Sequence, residues 1–346
     1  MTTALVTGGA GFIGSHVVDH LIDELGFDVI VLDDLSGGFK ENVNPRARFV
    51  QGSIVDYRLV TSLFDAYRFD YVYHLAAYAA EGLSHFIKRF NYTNNLMGSI
   101  NLINASVNHN VKCFTFTSSI AVYGTNQLPM REDLTPLPED SYGIAKCAVE
   151  LELKASHELF GLDYVVFRPH NVYGERQNLG DKYRNVLGIF MNRLMQGESL
   201  PIFGDGEQRR AFTYIKDITP AIARSPLEPA ARNQIFNVGS DQHYSVNELA
   251  LEVIAAMDMP GRLEHRDARN EVKLAFSDHS KFHAAFPDGR STPLSEGIRR
   301  MALWAKASGI RQSREFDGIE IHKNLPPAWA TVVREEPVAA GARAEG

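Results

Sequence analysis

The residues best placed to do chemistry are Tyr142 and Lys146, four apart in Ser141-Tyr142-Gly143-Ile144-Ala145-Lys146, ahead of the apolar positions Val149, Leu151, Leu153 and Leu159. That spacing predicts a helix with both side chains on one face, one turn apart. A free phenol is a poor base at neutral pH. Lowering its pKa by about three units takes roughly 4 kcal/mol of preferential phenolate stabilisation, and a nearby ammonium supplies part of that. Ser118 and Ser119 end the strand-like run Cys113-Phe114-Thr115-Phe116-Thr117. They therefore stand at the carboxyl edge where open α/β sheets bind ligands, and Ser119 could share a substrate proton with the phenolate.

The element that must bring a reaction partner to this group is at the amino end. Thr7 to Ser15 reads TGGAGFIGS, directly after the apolar run Ala4-Leu5-Val6. Gly9, Gly11 and Gly14 satisfy G-x-G-x-x-G, and Gly8 adds the overlapping spacing G-x-x-G-x-x-G. Such glycines make a tight turn, admit a phosphate to the backbone and let helix pack on strand. The following helix offers free N–H groups and a partial positive charge to a pyrophosphate. Val17, Val18, Leu21, Ile22 and Leu25 continue at helical spacing, and Val29-Ile30-Val31-Leu32 reads as a second buried strand. Asp33 ends it about twenty residues beyond the glycines, where a dinucleotide fold needs a carboxylate for ribose hydroxyls. A carboxylate there repels a 2′-phosphate, so NAD is expected rather than NADP. Its oxidised nicotinamide would add a second positive charge near Tyr142.

Between these motifs the chain alternates strand and helix. Phe49 to Asp56 reads as a short strand and loop, with Asp56 either accepting from an adenine amino group or capping a helix that starts near Tyr57. Tyr71-Val72-Tyr73-His74-Leu75-Ala76-Ala77 is the next strand, with His74 read as a packed histidine. The helix near Tyr92 to Asn108 carries Asn94, Asn95, Asn101 and Asn104, of which one is a candidate to face the cofactor. After the strand Tyr164-Val165-Val166-Phe167, Gly and Pro become frequent and the alternation weakens. A substrate-binding part belongs there, with Arg176, Arg184, Arg209, Arg210 and Arg269 as candidate phosphate readers. The fold class expected is α/β: a Rossmann-type doubly wound parallel sheet with a smaller α/β carboxy-terminal substrate-binding part. The expected division is 1–170 for NAD, 171–322 mainly for substrate, with some segments returning to the sheet, and 323–346 as a loosely attached tail.

With 346 residues the chain can bury a full core. A net charge of −7 without a long basic run argues against a nucleic-acid partner. Two cysteines, Cys113 and Cys147, make neither a disulfide framework nor a cysteine metal site, and no metal is expected. Leu5 already begins the first strand, and no apolar run reaches roughly twenty residues. The expectation is a cytoplasmic protein without a membrane partner.

Taken together, the residues resemble the extended short-chain dehydrogenase/reductase family, specifically its NAD-dependent nucleotide-sugar epimerases of the UDP-galactose 4-epimerase type. The resemblance spans about residues 3 to 310. It rests on TGGAGFIGSH, Asp33, the HLAA strand at His74 to Ala77, SSIAVYG from Ser118, Tyr142-x-x-x-Lys146 and GDGEQRRAFTYIKDI at Gly204 to Ile218. It implies catalytic Ser119, Tyr142 and Lys146. It implies cofactor contacts at Gly8, Gly11, Phe12, Ile13, Asp33, Asp56, Ala76 and Asn95, together with Tyr142 and Lys146. It implies UDP contacts from Asn171, Asn185, Arg210, Arg269 and Glu271, a structural Asp217, and a homodimer.

Ile120-Ala121 stands where the related 4,6-dehydratases usually carry Asp-Glu and where UDP-glucuronate decarboxylases usually carry a glutamate. Simple retention of a 4-keto intermediate is left. Ala211 and Ala275 depart from the pattern, and the second implies a wider sugar pocket. The function expected is reversible 4-epimerisation of a UDP-hexose with NAD retained. UDP-glucuronate leads, because Ser118, Ser119, Arg176 and Arg184 could together receive a C6 carboxylate. UDP-glucose or the N-acetylated pair is the alternative; a net dehydrogenase or decarboxylase and a non-catalytic NAD sensor are the remaining readings.

Overall fold

A computed structural model describes residues 2–125, 127–181, 185–268, 274–312, 316 and 318–326. Six strands run in sequence with helices between them: β1 (Thr3–Thr7), β2 (Asp28–Asp33), β3 (Arg48–Gln51), β4 (Tyr71–His74), β5 (Cys113–Thr117) and β6 (Asp163–Pro169). With the strand Gln234–Val238 they form one parallel sheet, in the order Gln234–Val238, β6, β5, β4, β1, β2, β3. The strands are apolar on both sides because helices cover both faces. Ala4 and Val6 face one layer and Leu5 the other; Val29 and Val31 oppose Ile30 and Leu32 in the same way.

Helix α1 (Phe12–Asp23) covers one face, and α2 (Tyr57–Ala66), helix Gly98–Asn108 and helix Ser141–Phe160 cover the other. The stretch expected as one helix near Tyr92 to Asn108 is continuous but contains a π turn at Thr93–Met97. The carboxy-terminal part packs helices Val186–Met195, Val246–Met257 and Leu294–Ser308 together. Its core is continuous with the α1 face of the sheet. Strand Gln234–Val238 extends the sheet beside β6, and helix Ile215–Arg224 packs on α1.

The strand order reverses between β4 and β1, which opens a crevice at their carboxyl ends. Among the described residues no helix is long and apolar enough to cross a membrane, and no group of three His, Cys, Asp or Glu could hold a metal ion.

Candidate active site

Local chemistry builds the floor of the crevice. Gly8 has φ +73°, and a Cβ there would come within 2.6 Å of the Ala76 amide nitrogen. A Cβ on Gly14 would collide with the Gly8 carbonyl oxygen, so α1 can start this close to β1 only with glycine at that position. Phe12 and Ile13 enter the cavity from the first turn of α1.

Asp33, at the end of β2, accepts from the Ala10 amide at 3.0 Å and the Leu35 amide at 2.8 Å. Burial pushes its carboxyl up, and these N–H groups oppose that shift. Each oxygen keeps a second lone pair for a ribose hydroxyl. The cavity measures about 1070 Å³ and runs from Asp33 and Gly38 past the glycine turn to Ser119, Tyr142 and Lys146. This is the upper end of small-molecule sites, large enough to hold a dinucleotide beside a second ligand.

The reactive end is built on β5 and helix Ser141–Phe160. Asp140 caps that helix by accepting from the Gly143 amide at 2.8 Å. Its first turn thereby presents Tyr142 to the cavity. Lys146 is buried one turn on, with Nζ donating to the Thr117 carbonyl oxygen at 2.8 Å. The same Nζ lies 5.7 Å from the centre of the Tyr142 ring. Burial lowers the Lys146 pKa to about 7, with Glu150 pulling it back up. Ser119 Oγ accepts from the Ala121 amide at 3.1 Å, which leaves its own proton to donate.

Several expected contacts sit elsewhere. Asp56 is exposed and caps α2, accepting from the Arg58 amide at 3.0 Å and the Leu59 amide at 3.1 Å. It does not line the cavity; Ser53 and Ile54, just before it, do. Asn95 is buried behind the wall, where it accepts from the Tyr78 amide at 2.8 Å and donates to the Tyr78 carbonyl at 3.0 Å. Its neighbour Asn94 reaches the cavity. Arg176 is turned away and pairs with Asp19 on α1 at 2.7 Å. Ser118 lines the cavity, but its hydroxyl donates to the buried Glu150 carboxylate, which is in turn ion-paired with Arg168. Arg209 is bound to Glu248 at 3.1 Å.

Gly8, Gly11, Ala76, Asn171, Asn185 and Arg210 line the cavity. Asn171 and Asn185 have positive φ, of 38° and 59°, and are tied down through their side-chain amides, Asn171 to the Ala211 carbonyl and Asn185 to that of Val172. Arg184, Arg269 and Glu271 lie outside the described residues, and the Ala275 side chain is likewise not described. His74 is held between Thr7 Oγ1 at 2.8 Å and Ser99 Oγ at 2.7 Å, a packed strand histidine.

The chain is similar to known proteins over most of its length. The family described as NAD dependent epimerase/dehydratase matches residues 4–239. The chain belongs to the NAD-dependent epimerase/dehydratase family. A putative UDP-glucose 4-epimerase of Methanocaldococcus jannaschii is 35% identical over 307 residues, covering 87% of this chain and 98% of its own. The structure of Thermotoga maritima UDP-glucose 4-epimerase with UDP-glucose superposes with a TM-score of 0.83 at 35% identity, covering 89% of this chain and 99% of its own. A UDP-N-acetylglucosamine 4-epimerase from Methanobrevibacter ruminantium, in complex with UDP-N-acetylmuramic acid, gives 0.82 at 34% identity, covering 89% and 99%. Membership makes NAD the cofactor, and the glycine turn and Asp33 fit it.

Proposed function

We propose that this NAD-dependent UDP-sugar 4-epimerase, an isomerase, interconverts UDP-glucose and UDP-galactose. The observation that carries the choice of sugar is the placement of Arg176. With its guanidinium on Asp19 outside the cavity, and with the Ser118 proton committed to Glu150, two of the four groups expected to receive a C6 carboxylate are withdrawn. UDP-glucuronate therefore gives way to a neutral hexose. UDP-glucose is also the sugar nucleotide named for the M. jannaschii and T. maritima relatives.

NAD, which the glycine turn and Asp33 would hold, would supply a hydride acceptor and donor for C4, so the reaction would have no net redox change. Tyr142 takes the 4-hydroxyl proton, directly or through Ser119, and gives it back when the 4-keto sugar is reduced. In its protonated form Lys146 places a positive charge beside the Tyr142 ring, which favours the phenolate, and the phenolate in turn favours the protonated lysine. Asn171, Asn185 and Arg210 line the same cavity and are proposed to hold UDP, with Arg269 and Glu271 as further contacts. Residues 1–170 supply the cofactor site and residues 171–322 most of the substrate side; of the expected tail from 323 on, Pro326 lines the cavity and the residues after it lie outside the described ones.

The exposed apolar side chains Ile144, Leu151, Leu159 and Phe160 on helix Ser141–Phe160 support a homodimer, which light scattering would test. A cytoplasmic location is part of the same reading, and cell fractionation tests it.

The deciding experiment incubates the purified protein, without added NAD, with UDP-glucose, UDP-glucuronate or UDP-N-acetylglucosamine and follows the anomeric signals by proton NMR. A galacto-configured product from UDP-glucose is expected. Conversion of UDP-glucuronate alone would overturn the choice of sugar, and no conversion of any of the three, with NAD then added, would overturn the reading itself.

A further inference from the structure

The resemblance read from the sequence stops near residue 310, yet the described residues beyond it are built into the cavity wall. Arg311 exchanges two hydrogen bonds of 3.1 Å with the Asn192 side chain, pairs with Glu41 at 2.9 Å and lies 4.2 Å over the Phe39 ring. Phe39 and Glu41 follow β2, next to the cavity-lining Gly38.

Five residues on, Phe316 packs edge-on against Phe90 at 4.9 Å and at a tilt against Tyr78 at 5.4 Å. Ile319 joins the same apolar cluster with Ala80, Leu83 and Ile87. The Glu320 carboxylate accepts from the Arg89 amide at 2.7 Å and the Phe90 amide at 2.8 Å, which caps the start of the helix at Lys88. Ile87, the helix's own capping residue, offers no side-chain acceptor. The Glu320 and Ile321 amides donate to the Phe86 carbonyl at 2.9 and 3.1 Å. Tyr78, Phe86 and Phe90 line the cavity, and so does Pro326.

Strand order gives these contacts their meaning. β1 lies between β2 and β4, so the segments after β2 and after β4 are the two banks of the crevice over the glycine turn. Arg311 is fixed to one bank, and Phe316, Ile319, Glu320 and Ile321 to the other. We propose that these carboxy-terminal residues act as a strap that holds residues 78–90 as a closed wall of the NAD cavity and slows release of the cofactor, with Glu320 as its positioning residue. Arg311, Phe316, Ile319 and Glu320 do not themselves line the cavity, so the strap acts on residence time and not on the proton-transfer step.

The test uses full-length protein carrying radiolabelled NAD, chased with excess unlabelled NAD, and it needs no sugar substrate. Glu320→Ala removes the acceptor and Phe316→Ala the packing. Glu320→Ala should speed NAD release about fivefold, the size of losing one helix cap, and Phe316→Ala should shift it in the same direction. Glu320→Gln, which keeps one of the two acceptor oxygens and turns an NH₂ toward the other amide, should release NAD at a rate between those of Glu320→Ala and wild type. Glu320 is exposed, so its variants should fold, and circular dichroism checks this. Release within twofold of wild type in both alanine variants overturns the strap. Release from Glu320→Gln as fast as from Glu320→Ala overturns the capping role of Glu320.

Discussion

Lys146 donates from Nζ to the Thr117 carbonyl oxygen at 2.8 Å, which fixes a buried ammonium under the end of β5 beside Tyr142. The charge is costly there. Its pKa of about 7 in the folded chain compares with an ordinary value near 10.4. Below about pH 7 both folded and unfolded chains are charged, and the folded one bears the full cost of burial. Between about pH 7 and 10.4 the folded amine has lost its proton while the unfolded one keeps it, so stability rises with pH. Lys146→Met should therefore raise Tm of the cofactor-free protein by about 3 °C or more at pH 6. The gain should shrink toward pH 10 while activity is lost. A gain independent of pH, read by calorimetry, would contradict this account.

Tyr142→Phe removes the proton acceptor and leaves the cavity shape unchanged. Turnover should fall by about 10²- to 10⁴-fold, the usual worth of general acid–base catalysis. NAD should still co-purify with the variant, measured after protein denaturation. Near-normal turnover would remove Tyr142 from the reaction.

Arg176→Ala breaks a half-exposed pair with Asp19, worth about 0–1 kcal/mol. Turnover of UDP-glucose should stay within about twofold of wild type. Parallel assays with UDP-glucuronate check the placement of the side chain. A loss confined to the acidic sugar would show that Arg176 swings into the cavity.

Glu150→Ala leaves the Arg168 guanidinium buried without its partner and frees the Ser118 hydroxyl. Breaking such a pair costs about 3–5 kcal/mol. Urea unfolding should show a clear drop in midpoint, and a drop under 1 kcal/mol would mean that water reaches the pair.

Asp33→Asn turns a carboxylate that accepts two amides into a group with one oxygen. Either the Ala10 or the Leu35 amide then faces an NH₂, at a cost of about 1–3 kcal/mol. NAD affinity should fall, and the preference for NAD over NADP should narrow in competition binding.

Sequence alone determined the features whose physics is local. The glycine turn, Asp33 at a strand end, the Tyr142–Lys146 spacing and the continuous apolar runs of the parallel strands each depend on residues within a few positions of one another, so spacing carries them. Tertiary structure decided where side chains with two possible partners turned. Asp56 could read adenine or cap a helix, and the start of α2 took it. Asn95 went to the Tyr78 backbone, leaving Asn94 for the cavity, because one residue's shift on a helix turns a side chain by a large angle. Arg176 met Asp19, which is 157 positions away in the chain. Glu320 met Arg89 and Phe90 across 231 and 230 positions. Ion pairs and caps of this kind depend on how distant elements come to be packed, which no spacing along the chain encodes.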